Sequence, residues 1–174
     1  MTDIKSHPFR PLANSPAKAS KSHANPLFLR EEVVRQGIEM LFYAYRDFIE
    51  EPDEVLHDKG LGRAHHRVIY FVGRYPGMTV SDLLAILRIT KQSLSRVLGQ
   101  LVDEEYIVQK TGPVDRRQRL LELTDKGKEL ESELTAIQRN RIEAAFREAG
   151  AEAVDGFCQV MMGIISDPDD KARF

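Results

Sequence analysis

The sequence predicts a mainly α-helical fold with one small β-hairpin, and the order of elements in residues 79–123 carries this prediction. Two short amphipathic helices joined by a tight turn are followed at once by two β-prone runs that flank a Gly-Pro turn. Longer stretches with apolar residues at helical spacing lie on either side. The chain has 174 residues, 42% of them hydrophobic, which is enough for one globular core with additional helices.

The first helix of this block is predicted to begin at Thr79, because Thr79 and Asp82 have the spacing of a capping box. Thr90 is predicted to cap the second helix, which extends to about Glu104. In the second helix, apolar residues recur at i, i+3, i+4 and i+7 and form one stripe that faces a core. These residues are Leu94, Val97, Leu98 and Leu101.

The opposite face of the second helix presents polar groups and a glycine. At about 100° per residue, Gln92, Arg96 and Gly99 point away from the apolar stripe, with Ser95 beside them. An amide, a hydroxyl and a guanidinium are groups that recognise base edges in the major groove of DNA. The alternative is an ordinary surface helix, whose polar residues also point outwards.

The hairpin that follows is basic. Its strands are predicted at residues 106–110 and 120–123, on either side of a Gly112-Pro113 turn. Four basic residues accompany the single carboxylate of Asp115, namely Lys110, Arg116, Arg117 and Arg119. Such a hairpin suits a wing that lays arginines along phosphates or in the minor groove. A charged hairpin that merely blocks aggregation at a solvated edge is the alternative.

In the wing and its exit the chain reads Asp115-Arg116-Arg117 and, over residues 121–127, Leu-Glu-Leu-Thr-Asp-Lys-Gly. This resembles the MarR family of winged helix-turn-helix transcriptional regulators, whose wing reads Asp-x-Arg and whose next helix begins with Leu-Thr-x-x-Gly. The resemblance continues upstream through residues 79–84 and 93–98 and covers residues 27–165. Residues 62–67 and 91–94 are also similar to the PetP branch of the family.

The resemblance implies a winged helix-turn-helix plus a helical dimerisation region, in a homodimer that binds double-stranded DNA. It implies that Asp115 orders the wing and presents Arg117 to the minor groove. The predicted DNA-contacting residues are Thr90, Lys91, Gln92, Ser93, Ser95, Arg96, Arg116, Arg117 and Arg119. Two positions depart from the family pattern, which has glycine where this chain has Arg88 and Glu105. A non-glycine residue in a left-handed cap costs roughly 1 kcal/mol, so the departures concern the turn geometry rather than the fold.

The chain is predicted to have four parts. Residues 1–26 lack apolar periodicity and form a flexible tail, whose basic residues either touch DNA phosphates or belong to a plain disordered extension. Residues 27–58 form an N-terminal dimerisation helix, expected to end at Glu51-Pro52-Asp53. Residues 59–125 form the winged helix-turn-helix, including a helix at 63–74, and residues 126–174 form C-terminal dimerisation helices.

The helices at both ends have apolar faces that a chain this small cannot cover, which predicts burial against a partner. The apolar positions are Val34, Ile38, Leu41, Tyr45 and Phe48, then Leu130, Leu134 and Ile137, then Val154, Phe157, Cys158, Met161, Ile164 and Ile165. The alternative is that these helices pack only on the winged helix of the same chain. Cys158 is the only cysteine, which excludes an intramolecular disulfide, and a small buried hydrophobe is its predicted role.

The sequence has no pattern typical of an enzyme. No phosphate-binding loop, metal-ligand cluster or nucleophile elbow appears, and the adjacent His65 and His66 point about 100° apart on a helix, so they cannot share a metal. No cofactor and no metal are expected. The family resemblance implies instead that His65, His66 and Tyr70 line a pocket for a small anionic or aromatic effector. Core packing and hydrogen bonds between lobes are the alternative role for these three residues.

The formal net charge of −2 does not oppose DNA binding, because acid and base are separated along the chain and the wing is basic. No run is apolar enough to span a membrane and no signal peptide opens the chain, so we expect a cytoplasmic protein. The sequence thus predicts a sequence-specific transcriptional regulator that binds a pseudo-palindromic operator. The alternative is a winged-helix protein-interaction module that does not recognise DNA; it would need an acidic potential over Gln92 and Arg96, and the basic wing argues against it.

Overall fold

The computed structural model describes residues 29–113 and 115–174, so the predicted tail, residues 1–26, lies outside the described residues. Within the described residues the chain forms seven helices and three strands. In chain order they are α1 Glu31–His57, α2 Arg63–Arg74, β1 Met78–Thr79, α3 Val80–Leu87, α4 Lys91–Asp103, β2 Ile107–Thr111, β3 Arg119–Leu123, α5 Asp125–Ala149, α6 Ala151–Ile164 and α7 Pro168–Lys171. None of these helices is long and apolar enough to cross a membrane.

The chain divides into two units, residues 1–40 and 41–174. The described part of the first unit consists of the opening turns of α1. There Arg35 pairs with Glu31 one helical turn earlier at 2.6 Å, and both side chains are exposed. The second unit contains the rest of α1 and every other element.

The sheet is antiparallel with strand order β1-β3-β2. Strands β2 and β3 form the hairpin, whose register runs from Ile107 opposite Leu123 to Thr111 opposite Arg119. The predicted mainly helical fold with a β-hairpin wing is therefore confirmed. Strand β1 adds only two residues to β3, with Met78 opposite Leu121.

One apolar core in the second unit joins α2, α3, α4 and the sheet to the start of α5. The predicted stripe of α4 is buried in this core, with Leu94 and Leu101 almost inaccessible. The fully buried residues that meet it include Leu56, Ile69, Val72, Leu83, Ile107, Leu121 and Leu134. The core therefore fixes which face of α4 points outwards.

The ends of α3 and α4 follow the predicted caps. The Asp82 amide donates to the Thr79 hydroxyl at 3.1 Å, and the Thr79 amide donates to the Asp82 carboxylate at 2.9 Å. Arg88 and Glu105 occupy the left-handed region, with φ of 50° and 61°. The two turns are thus built from non-glycine residues in a left-handed conformation, at a cost of roughly 1 kcal/mol each.

The predicted end of the first helix at Glu51-Pro52-Asp53 is wrong, because α1 continues through Pro52 to His57. A proline inside a helix removes one hydrogen bond and typically costs about 3 kcal/mol. Here Pro52 and Leu56 are both buried, and the packing of this last stretch of α1 offsets that cost.

Candidate nucleic-acid interface

The start of α4 is held by a short polar network. The Ser93 amide donates to the Thr90 hydroxyl at 3.2 Å, and the two hydroxyl oxygens lie 2.9 Å apart. Thr90 and Ser93 are therefore engaged in capping, although both remain exposed. This cap satisfies one of the free main-chain amides at the positive end of the helix, and the others remain available to an anion.

The outward face of α4 is exposed and uncommitted. Lys91, Gln92, Ser95 and Arg96 are all exposed, and none of their side chains forms a hydrogen bond or ion pair within the described part of the chain. Their donors and acceptors face solvent beside the helix start. This face can accordingly contact base edges and phosphates together.

The wing is a compact loop ordered by Asp115. The Arg117 amide donates to the Asp115 carboxylate at 2.9 Å, and the Gln118 amide donates to the Asp115 carbonyl at 3.0 Å. The loop is closed by the Gly112 amide, which donates to the Gln118 carbonyl at 3.1 Å. These contacts fix the direction in which the backbone at Arg117 runs.

The basic residues of the hairpin differ in their engagement. Arg119 donates to the Thr111 hydroxyl at 2.8 Å, and Lys110 pairs with Glu122 across the strands at 2.5 Å. Arg116 and Arg117 are exposed at the tip and make no side-chain ion pair with a described residue. The positive charge of the wing is therefore concentrated at its tip.

A cavity of about 590 Å³ lies between α1, α2 and α5 in the second unit. It is lined by Tyr45, Phe48, Ile49, Asp53, Arg63, His66, Arg67, Tyr70, Phe71, Thr135, Gln138, Arg139 and Ile142. Of the predicted effector residues it contains His66 and Tyr70. Sequence reasoning missed the rest, although Arg63, His66 and Tyr70 follow one face of α2 at helical spacing and offered a signal.

The cavity combines apolar walls with charged groups. Arg63 donates to Asp53 Oδ2 at 2.5 Å, whereas Asp53 Oδ1 is buried and has no partner among the described residues. Arg67 donates to the Tyr45 hydroxyl at 3.0 Å. Burial lowers the pKa of His66, against the opposing effects of Asp53 and Glu131, so its imidazole is neutral at pH 7. Such a site suits an amphipathic organic molecule.

His65 does not line the cavity and instead ties α2 to α4. The Gly62 amide donates to His65 Nδ1 at 3.0 Å, so the proton resides on Nε2, which donates to Gln100 Oε1 at 2.9 Å. The Gln100 amide group in turn donates to the Glu104 carboxylate at 2.8 Å. His65 therefore helps to position helix α4 against α2.

Helix α6 has no buried residue among its fourteen. Phe157, Val160 and Ile164 share one face at i, i+3 and i+7 and are 47%, 63% and 57% exposed; we call them the α6 stripe. Towards α5, the Phe157 ring packs edge-on against the Phe146 ring, and the two ring centres are 5.8 Å apart. Cys158 is exposed in the single chain, so the prediction that this thiol is buried is wrong for the protomer alone. The reason is that no described residue covers the outer face of α6.

Known proteins support a common origin for this arrangement. Residues 59–118 match a family model described as the MarR family. The chain is 49% identical over 142 residues to the HTH-type transcriptional regulator PetP of Rhodobacter capsulatus, which covers 82% of this chain and 85% of that protein.

Two solved structures show the same fold. FabT of Streptococcus pneumoniae in complex with DNA has a TM-score of 0.68 at 19% identity and covers 75% of this chain and 94% of that chain. The crystal structure of MarR has a TM-score of 0.59 at 20% identity, and the match covers 82% of this chain and 92% of that chain.

The fold and these relationships define a transcriptional regulator of the winged helix-turn-helix class. The chain belongs to the MarR family and is similar to its PetP member. The predicted family and the predicted class, a regulator rather than an enzyme, are thereby confirmed.

Proposed function

We propose that this regulator is a homodimer that binds a pseudo-palindromic operator, with α4 of each protomer in the major groove and each wing in a flanking minor groove. The observation that carries the proposal is the set of exposed, uncommitted polar side chains at the start of α4. The wing of the same chain carries two exposed arginines that make no ion pair with a described residue, Arg116 and Arg117. The likeness in fold to FabT, which was solved in complex with DNA, supports a DNA ligand.

The exposed residues of α4 and the wing would make different kinds of contact with DNA, according to their chemistry. Gln92, Ser95 and Arg96 carry groups that pair with base edges and would contribute sequence preference. Lys91 and Arg119 would contact phosphates, which adds affinity without preference. Arg116 and Arg117 would enter or line the minor groove, where arginine senses groove width and potential.

The α6 stripe and the geometry of DNA recognition support dimerisation. Three exposed apolar side chains on one helix face are costly in water, and a second copy would cover them. Exposed apolar residues of α1 in the second unit, Leu41 and Phe42 among them, are available for the same purpose. Two recognition helices related by a dyad contact two half-sites, which multiplies specificity over a single helix.

The cavity is proposed to bind an effector of amphipathic character. Its aromatic walls, Phe48 and Phe71, suit a flat apolar body, while Arg67 and Arg139 suit an acidic group. The lining comes from α1 and α5 as well as from α2 of the DNA-binding lobe, residues 59–125. Occupancy would therefore favour one separation of the DNA-binding lobes of the two protomers over another.

Sedimentation of the purified full chain with and without a labelled DNA duplex tests this proposal. We expect a dimer in free solution and one dimer per duplex that contains the operator. A folded monomer at micromolar concentration that still binds the duplex would contradict the dimeric mechanism.

A further inference from the structure

The C-terminal segment of the chain is fastened to the turn that precedes the recognition helix. Arg88 Nη2 donates to Asp167 Oδ2 at 2.5 Å and lies 3.2 Å from Asp170 Oδ2. Arg173, 3.5 Å from Asp170, places its guanidinium 5.6 Å from the centre of the Tyr75 ring. We call residues 167–173 the C-terminal clasp. It connects the end of α6 to two turns of the DNA-binding lobe.

Arg88 occupies a special place in that lobe. It is the left-handed cap of α3 and precedes Thr90, the cap of α4, by two residues. Its main chain is therefore fixed beside the positive end of the recognition helix, where a DNA phosphate would find main-chain amides and the helix dipole. In the free chain both of its counter-ions come instead from the clasp.

We propose that the C-terminal clasp is autoinhibitory: Asp167 and Asp170 hold Arg88 in place of a DNA phosphate, and release of the clasp adds one phosphate contact at the start of α4. The inference rests on the proposed binding of DNA through α4. It assigns to the two aspartates the role of a counter-ion that DNA must displace.

The contacts are of a kind that DNA can displace. The side chains of Arg88, Asp167 and Asp170 are 57%, 37% and 36% exposed, and ion pairs so exposed are weak and screened by salt. Duplex DNA, by contrast, offers a dense row of phosphates whose neutralisation releases counter-ions. Helix α7 is a single turn, so little ordered structure is lost when the clasp opens.

Asp167 is charged when DNA competes with it. The Asp169 amide donates to the Asp167 carboxylate at 2.8 Å, and this bond, together with Arg88, holds the pKa of Asp167 below its ordinary value. At neutral pH the clasp therefore presents negative charge to Arg88 and to any approaching phosphate.

The experiment compares the full-length chain with the double variant Asp167→Asn, Asp170→Asn. Asparagine retains the oxygen that caps α7, so the helix end is preserved while both charges are removed. Binding to a fluorescein-labelled duplex of mixed sequence is followed by anisotropy over a series of salt concentrations. We expect affinity to rise roughly three- to tenfold at low salt, with a log K against log salt slope steeper by about one phosphate equivalent.

The matched control is Asp169→Asn, which removes one charge from the same helix but no ion pair with Arg88. It should change affinity far less than the double variant. In an Arg88→Ala background, the double variant should gain no more affinity than this control. Circular dichroism and thermal melting verify that each variant is folded.

Unchanged or weaker binding by the folded double variant would overturn the proposal, as would an equal gain in the Arg88→Ala background. If neither the wild type nor the double variant binds a duplex, the proposed DNA-binding function is refuted instead. The two failures are therefore distinguishable.

Discussion

The Arg117 amide donates a hydrogen bond to the carboxylate of Asp115 at 2.9 Å, so the wing arginine is positioned by a side chain two residues earlier. The carboxylate accepts a main-chain proton, and the Arg117 guanidinium remains free at the tip. This relationship gives a physical reason for the Asp-x-Arg pattern of the wing. It also separates two roles, since Asp115 shapes the loop and Arg117 keeps its charge exposed at the tip.

Arg117→Ala should weaken binding to operator and to mixed-sequence duplexes alike. Loss of one guanidinium at a phosphate or in the minor groove should reduce the slope of log K against log salt by about one phosphate equivalent per site. A salt titration by anisotropy measures both quantities. Lys59→Ala, which removes a positive charge from the α1–α2 turn, is the control. An Arg117→Ala chain with unchanged affinity and slope would remove the wing from the interface.

Gln92→Ala and Ser95→Ala should change preference among operator variants more than overall affinity. Each good base contact is worth about 1–3 kcal/mol of discrimination. Competition between variant duplexes measures the effect for each folded chain, with Lys91→Ala as the comparison expected to act uniformly on all sequences. If both alanine variants select the wild-type motif with undiminished contrast, α4 is not in the groove as proposed.

Phe157→Asp should lower dimerisation, stability and operator affinity together. The substitution places a charge in the α6 stripe, where the proposed partner surface excludes water. Gln159→Asp adds the same charge on the opposite side of α6 and should leave the dimer intact. Sedimentation velocity distinguishes the two variants. If the Phe157→Asp chain is still a dimer, the interface does not include the α6 stripe.

Gly127→Ala should destabilise the fold by about 1–3 kcal/mol. A Cβ at Gly127 would overlap the carbonyl oxygen of Tyr106, to which the Thr124 amide already donates at 3.1 Å. Gly99→Ala is the matched control, because nothing lies within 4 Å of a Cβ there and alanine should stabilise the interior of α4 by roughly 0.5–1 kcal/mol. Urea denaturation without DNA should therefore show opposite signs for the two variants.

The free energy of unfolding should fall as the pH is lowered through 6.5, and His66 should contribute to that fall. Burial lowers the pKa of His66 in the folded chain, so between that value and 6.5 the unfolded chain binds more protons. Stability from this group is thus complete above 6.5 and decreases towards lower pH. His66→Gln should flatten the dependence. Parallel profiles for wild type and His66→Gln would refute this account.

Local signals explain which elements the sequence predicted well. The Thr79 capping box, the Thr90 cap and the apolar stripe of α4, three leucines and one valine, act over one or two turns, and each appears in the structure. The end of α1 failed because a local helix breaker, Pro52, competes with tertiary burial that sequence alone does not display. Strand β1, two residues long, has no period of its own and exists only through its pairing with β3.

In the candidate site, too, local patterns were predicted from the sequence and long-range contacts were not. The outward residues of α4 follow from the apolar stripe on its opposite face, and the charge of the wing follows from composition. Arg88 is separated in sequence from its two partners in the C-terminal clasp by 79 and 82 positions, and no periodic pattern signals such contacts. His65 and His66 are neighbours in sequence, yet only the latter reaches the cavity, because a helix turns consecutive side chains by about 100°.

Selection of duplexes from a random pool by the purified full-length chain tests the central claim most directly. If α4 of two protomers recognises DNA, the enriched sequences should share a pseudo-palindrome whose half-sites are centred about one helical turn apart. They should also lose contrast at defined positions when Gln92→Ala is used in place of the wild type. A dimer that enriches no sequence, while still binding DNA in a salt-dependent manner, would contradict sequence recognition by this helix.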